Sequence, residues 1–148
     1  MDNGLLYATE QAGVADTGKQ PGLWELPQNY LRWPETRTGN IGYCDKDWFW
    51  AFRKGDPQTR GAKTASVLKY NLDLRLAGNR APFHLCLHSQ EWADPSWVKN
   101  APTENMLAKQ AALQEFLTYA LSKPEVRVVR QIDVIRWMRE PVPLQPTP

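Results

Sequence analysis

Both histidines of this chain stand near the end of one short apolar run, Gly78-Asn79-Arg80-Ala81-Pro82-Phe83-His84-Leu85-Cys86-Leu87-His88. Pro82 clashes with a helical residue before it and so drives Ala81 into an extended conformation. Gly78 sits where a helix cap is expected, and the apolar alternation stops at His88 and Ser89. The run predicts a strand that follows a helix and delivers a polar group to a surface. With a side-chain period of two, His84, Cys86 and His88 share one face, and Phe83, Leu85 and Leu87 share the other.

Helical periodicity flanks that strand. Upstream, Val67, Leu68, Leu72 and Leu76 trace one face between residues 64 and 77, with Leu74 off the stripe. Downstream, Leu113, Phe116, Leu117, Ala120 and Leu121 follow the i, i+3, i+4, i+7, i+8 spacing across residues 103–121, and Thr103 is a candidate cap. Pro124 then breaks the chain, the β-branched run at 126–129 predicts a strand, and Ile132, Ile135 and Met138 mark a last helix stopped by Pro141. Strand, helix, strand, helix after Phe83 is the order of a parallel α/β layer. Nearer the start, residues 1–9 and 23–26 read as strands and 10–20 as a loop. Residues 27–42, with two prolines and two glycines, read as an irregular surface connection. Residues 41–52 are aromatic-rich and ambiguous. Pro143, Pro146 and Pro148 predict a disordered tail over 141–148, which leaves 1–140 as the folded part.

Composition narrows the partners. At 42% apolar residues and a formal charge of +2, spread without basic runs, the chain can bury a core and gives no electrostatic reason to expect nucleic acid or an anionic membrane. No segment reaches the roughly 18–20 apolar residues that span a bilayer. Met1-Asp2-Asn3 has neither a basic region nor an apolar core, so no secretory signal is visible. The two cysteines, Cys44 and Cys86, permit one disulfide and require none.

Asn79-Arg80-Ala81-Pro82-Phe83 followed by the L-x-L-H element Leu85-Cys86-Leu87-His88 resembles the last motif of polysaccharide deacetylases, in the chitin-deacetylase-like branch. Other segments agree in order. Gly4-Leu5-Leu6-Tyr7-Ala8-Thr9 is similar to the family's G-F-x-Y-D-S strand, and Pro21-Gly22-Leu23-Trp24-Glu25-Leu26-Pro27 to its G-L-W-E-[IL]-P strand. Residues 112–121, 125–129 and 134–142 are similar to its closing helix, strand and W-M-x-x-P-V helix. The T-F-D-D strand, the H-x-x-x-H helix and the R-x-P element that open the catalytic domain in this family have no counterpart ahead of the matched segments; the one H-x-x-x-H spacing, His84 to His88, lies on the predicted strand. The resemblance therefore implies an α/β fold, the C-terminal part of a distorted (β/α) barrel lacking its first strands, and it places Cys44 and Cys86 near each other at the barrel mouth.

What the resemblance implies for function is a metal-dependent N-deacetylase that hydrolyses N-acetyl groups on glycans. In it His88 is the general acid that protonates the departing amine, a step suited to an imidazole, which ordinarily titrates near pH 6.5. Periodicity alone also accommodates a strand-end histidine bonded to backbone, and His84 reads as structural. Tyr43-Cys44-Asp45-Lys46-Asp47-Trp48-Phe49-Trp50 occupies the place of the family's aspartate and tryptophan motif. It departs from D-x-x-D-W, which would need an aspartate at Cys44, and fits the looser M-D-Y-N-x-W, which selects Asp45, with Asp47 second, as the carboxylate that orients or charges the site. Trp48, Trp50 and Trp92 are candidate walls of the sugar site. Seven tryptophans can equally serve as core residues, and Trp97 is left undecided.

A metal that activates water commonly needs about three protein ligands and an open position. No metal site is expected in this chain; zinc or another divalent ion belongs to a complete enzyme. A set of His84, His88, Cys86 and Cys44 is chemically possible but has no zinc-site spacing. The expected partners are an N-acetylated glycan and the missing N-terminal half of the barrel. Without that half, two sheet edges and apolar surface are exposed, so the isolated chain is expected to be inactive and marginally stable. A second reading is a non-catalytic carbohydrate-binding or interaction module built on Trp48, Trp50 and Trp92; a third is an α/β domain without ligand. The family is usually secreted, periplasmic or in the cell envelope, and the sequence leaves the compartment open.

Overall fold

The computed structural model of the protein describes residues 31–34, 40–41, 55–78, 80–89, 92 and 103–140. Their order is a strand β1 (Leu31–Arg32), a strand β2 (Asn40–Ile41), and helices α1 (Pro57–Ala77), α2 (Thr103–Leu121) and α3 (Gln131–Arg139). They fall into two compact units, one ending at Val126 and the other resuming at Arg127.

The start of α1 is set by capping chemistry. Asp56 is the N-cap: its carboxylate accepts from the Thr59 N–H at 2.9 Å and the Thr59 hydroxyl at 2.7 Å, and Pro57 occupies the first helical turn, where a missing N–H costs nothing. The helix thus begins seven residues before the apolar stripe, because residues 57–63 carry no periodic hydrophobes. It ends at Gly78, whose N–H reaches the carbonyls of Leu74 at 3.0 Å and Arg75 at 3.2 Å. Gly78 is not left-handed. Its φ is −98°, and a Cβ there would lie 2.9 Å from the Leu74 carbonyl oxygen, so glycine is needed for space. The left-handed residue is Arg80, at φ 56°.

The buried residues of α2 are Ala108, Lys109, Ala112, Phe116 and Ala120. At Ala108 the small side chain lets α1 approach closely: a Cβ on Gly61 would come within 2.8 Å of the Ala108 carbonyl oxygen. Leu121, expected on the packed stripe, is 58% exposed. The core joins Leu31, Val67, Leu68, Leu72, Phe116 and Ala120, with Phe83, Leu85, Leu113, Leu117 and Val126 packed against it.

Leu31 enters the core because Asn71 holds its strand. Within the connection expected to be irregular, Leu31 pairs with Ile41 and Arg32 with Asn40 in an antiparallel ladder. Asn71, buried in α1, accepts from the Arg32 N–H at 2.8 Å and donates from its amide to the Arg32 carbonyl at 2.8 Å. Its side chain thereby meets both backbone groups of one β1 residue, as a neighbouring strand would.

The expected barrel segment is not what the described residues form. They contain three helices and a single two-residue antiparallel pair, with no parallel sheet. Residues 126–130 are not a strand, and Val128 and Val129 are 65% and 52% exposed. β-branched residues favour strands through packing on cross-strand neighbours, and no described residue forms a ladder with this run. The extended segment before α2 carries a bridge at Cys86 but no ladder. The strands expected at 1–9 and 23–26 and the tail at 141–148 lie outside the described residues.

In the second unit, Arg130 precedes α3 and its guanidinium grips Asp133 at 2.8 and 3.0 Å. That contact holds the Asp133 carboxyl below its ordinary value and stands in for a missing side-chain cap. Val134, Ile135 and Met138 are half-buried, whereas Ile132 and Trp137 are exposed.

Candidate functional site

The segment carrying the histidines is shaped by three local constraints. The N–H of Arg80 donates to the Arg75 carbonyl at 3.0 Å, which turns the chain back beneath α1 at a left-handed residue, a conformation costing roughly 1–2 kcal/mol outside glycine. Pro82 then holds the chain extended. Finally, Phe83 meets the edge of Phe116, ring centres 6.0 Å apart and planes at 81°, and Leu85 packs on the same core. By the period of two, His84, Cys86 and His88 belong to the alternate face.

On that face the Nδ1 of His84 is buried, consistent with a structural role, and the His88 side chain is half-buried at the end of the segment. Leu87, expected beside Phe83 and Leu85, is 41% exposed, so the apolar anchorage ends at Leu85. Trp92 follows, half-buried; its carbonyl accepts from the Gln110 side-chain amide at 2.6 Å, which ties the turn after His88 to α2. His88 and Trp92 thus belong to one stretch of chain docked on the helix pair. Asp45, Asp47, Trp48 and Trp50 lie outside the described residues.

Cys86 is disulfide-bonded, and Cys44 is the only other cysteine in the sequence. The bond removes the ligand set of His84, His88, Cys86 and Cys44, because metal ligation takes a thiolate. Two imidazoles on one edge do not make a hydrolytic metal site, and among the described residues no three His, Cys, Asp or Glu side chains gather to hold an ion.

An open groove of ≈ 440 Å³ runs along the outer face of α1 and α2, lined by Lys69, Ala111, Gln114, Glu115, Thr118 and Tyr119. Lys69 pairs with Glu115 at 2.6 Å. The Tyr119 hydroxyl donates to Asp73 at 2.7 and 2.8 Å, and Lys123 lies over the Tyr119 ring at 4.3 Å and 3.4 Å from Asp73. The Tyr119 hydroxyl and, next, the Asp73 charge raise the Lys123 ammonium above its ordinary value. Among the described residues two cations face two carboxylates, which leaves no net charge to select an ionic ligand, and neither His88 nor Trp92 lines the groove. Sequence reasoning passed over this cluster because Asp73 and Tyr119 are far apart in the chain. It also passed over Asn71, whose signal was a polar residue inside the apolar stripe of Val67, Leu68 and Leu72.

Comparison of the chain with protein-family models, with curated proteins and with solved structures finds no match.

Proposed function

We propose that this chain is the C-terminal portion of a metal-dependent polysaccharide N-deacetylase, contributing the general acid His88 to the hydrolysis of N-acetyl groups on glycans. The observation that carries the reading is the Asn79 to His88 motif, joined to a half-buried His88 at the end of an extended segment whose half-buried Phe83 and Leu85 pack against the core. A general acid must be held in place yet reach the departing atom, and such anchorage supplies the first requirement.

Breaking the amide C–N bond expels an amine that leaves poorly as an anion. The imidazolium of His88 gives its proton to that nitrogen as the bond breaks, and the products are acetate and a free amino sugar. Asp45, or next Asp47, orients the imidazole or stabilises its charged form. Trp48, Trp50 and Trp92 offer ring faces to the apolar side of the sugar. The residues that bind the metal and remove the proton from water belong, in the family, to a T-F-D-D strand, an H-x-x-x-H helix and an R-x-P element that precede the segments matched here.

The test supplies those segments, fused ahead of this chain or in trans, and follows acetate release from chito-oligosaccharides. The expected result is activity that falls by about 10²–10⁴-fold in kcat on His88→Ala, the usual contribution of a general acid, with KM little changed and His84→Ala far less affected. A wild-type assembly that releases no acetate, or a His88→Ala assembly as active as wild type, contradicts the reading. Saturable glycan binding by the 148-residue chain alone, without hydrolysis in the assembly, favours a binding module instead.

A further inference from the structure

We infer that the outer face of α2 is a self-association surface on which a second copy of this chain packs antiparallel, with the two Gln114 side chains meeting at the two-fold axis. The inference goes beyond the proposed function and does not rest on it, since it uses no residue assigned there.

Ala108, Ala112, Phe116 and Ala120 are among the buried residues of α2. At 3.6 residues per turn, the line on the far side of the helix is Leu107, Ala111, Gln114, Thr118 and Leu121, all exposed and separated by 4, 3, 4 and 3 residues. That is the seam spacing by which one helix packs along another. A single exposed leucine is ordinary on a protein surface. Here Leu107 and Leu121, 54% and 58% exposed, stand on one line at equal distance from Gln114. Between them the small Ala111 and Thr118 help to line the open groove beside α1, which leaves room for the side chains of a facing helix.

The order of the stripe selects the occupant. Reversed about Gln114, it sets leucine against leucine, alanine against threonine and glutamine against glutamine, so the face is complementary to itself, as an isologous two-fold interface requires. Charge selects the direction. Glu104 lies ten residues before Gln114 and Lys123 nine after it, and an antiparallel copy brings each Glu104 beside the second copy's Lys123. A parallel copy would instead stack Glu104 on Glu104 and Lys123 on Lys123. Near the axis, the Lys69–Glu115 pair at 2.6 Å meets its own image in an order that lets the four charges alternate. Arg60, toward the Glu104 end, is half-buried and bonded to Asn105. A face one helix long, about 28 Å, falls short of the roughly 800 Å² per partner of a standard interface, so the dimer is weak, with Kd on the order of 10–100 µM.

Sedimentation velocity of the 148-residue chain over a range of about 1–500 µM tests the surface. The expected result is a weight-average mass that climbs from one chain toward two, and a Leu107→Glu/Leu121→Glu chain that stays monomeric throughout with unchanged far-UV circular dichroism. Cross-linking reads the direction. Gln114→Cys, at the axis, is expected to join two chains under mild oxidation, with peptide mapping locating the link. Leu107→Cys is expected not to, because it lies about 21 Å from its image, beyond the roughly 7 Å a disulfide spans between Cα atoms. A native chain that is monomeric up to about 500 µM, a Leu107→Glu/Leu121→Glu chain that still dimerises, or Leu107→Cys linking as readily as Gln114→Cys overturns the inference.

Discussion

Replacing Gly61 by alanine sets two physical effects of opposite sign against each other. Gly61 lies in the interior of α1, where glycine is ordinarily worse than alanine by roughly 0.5–1 kcal/mol, so propensity alone predicts stabilisation. The structure predicts the reverse. An alanine Cβ would sit 2.8 Å from the Ala108 carbonyl oxygen and 3.5 Å from the Ala108 Cβ, and the obstacle is backbone of α2, which cannot rotate aside. The helices must separate by several tenths of an ångström, loosening the contacts around Phe116, and overpacking of this kind costs about 1–3 kcal/mol. The net expectation is destabilisation of up to about 2.5 kcal/mol, centred at about 1 kcal/mol, after the propensity gain is subtracted. Urea unfolding followed by far-UV circular dichroism reads it as a lower midpoint at unchanged slope. Ser66→Ala, at an exposed position of the same helix, is the control and should raise the midpoint slightly, by the equivalent of a few tenths of a kcal/mol in stability. A Gly61→Ala chain that gains stability alongside it would refute the close approach of α1 to α2.

Asn71→Leu should cost about 2–4 kcal/mol in the same assay, because it leaves the Arg32 N–H and carbonyl without the partners they have at 2.8 Å; a loss below about 0.5 kcal/mol would contradict that role. The Thr59 N–H first, and its hydroxyl second, hold the Asp56 carboxyl below its ordinary value. A depressed folded-state value means that the cap stabilises above the unfolded carboxyl's titration and is lost as pH falls through the folded one. The Thr59 amide proton shift should therefore titrate with a midpoint below the ordinary aspartate value and lose that step in Asp56→Asn; a midpoint at or above the ordinary value would be inconsistent with the cap. The 148-residue chain alone, given zinc or cobalt, should release no acetate from chito-oligosaccharides, and metal-dependent release that disappears on His88→Ala would show the chain to be sufficient.

The helices were the most legible part of the sequence, and unevenly so. The periodicity of Leu113, Phe116, Leu117 and Ala120 marks α2 over the range it occupies, because a helix that buries large side chains advertises its face. The first two turns of α1 pack through Gly61 and start at Asp56, and neither leaves a hydrophobic period to read. Strand propensity misled at 126–129, where no described residue pairs with Val128 and Val129, and a capping glycine at 78 was legible while the left-handed turn at Arg80 was not. Phe83 and Leu85 pack against the core as alternation from Phe83 expects, and Leu87, expected with them, is exposed. Position alone cannot show that a sulfur is oxidised, and it is the disulfide at Cys86 that removes the ligand set built on it.

The central claim is that His88 donates a proton to the leaving nitrogen, and the dependence of its loss on the leaving group tests this most directly. In the assembly carrying the missing segments, wild type and His88→Ala are compared on acetanilide and on p-nitroacetanilide, whose amine leaves with far less need of a proton. The account predicts that the defect of His88→Ala is at least about tenfold smaller on p-nitroacetanilide, as Brønsted behaviour of an acid catalyst requires. An equal defect on both substrates would show that His88 shapes the site without donating the proton.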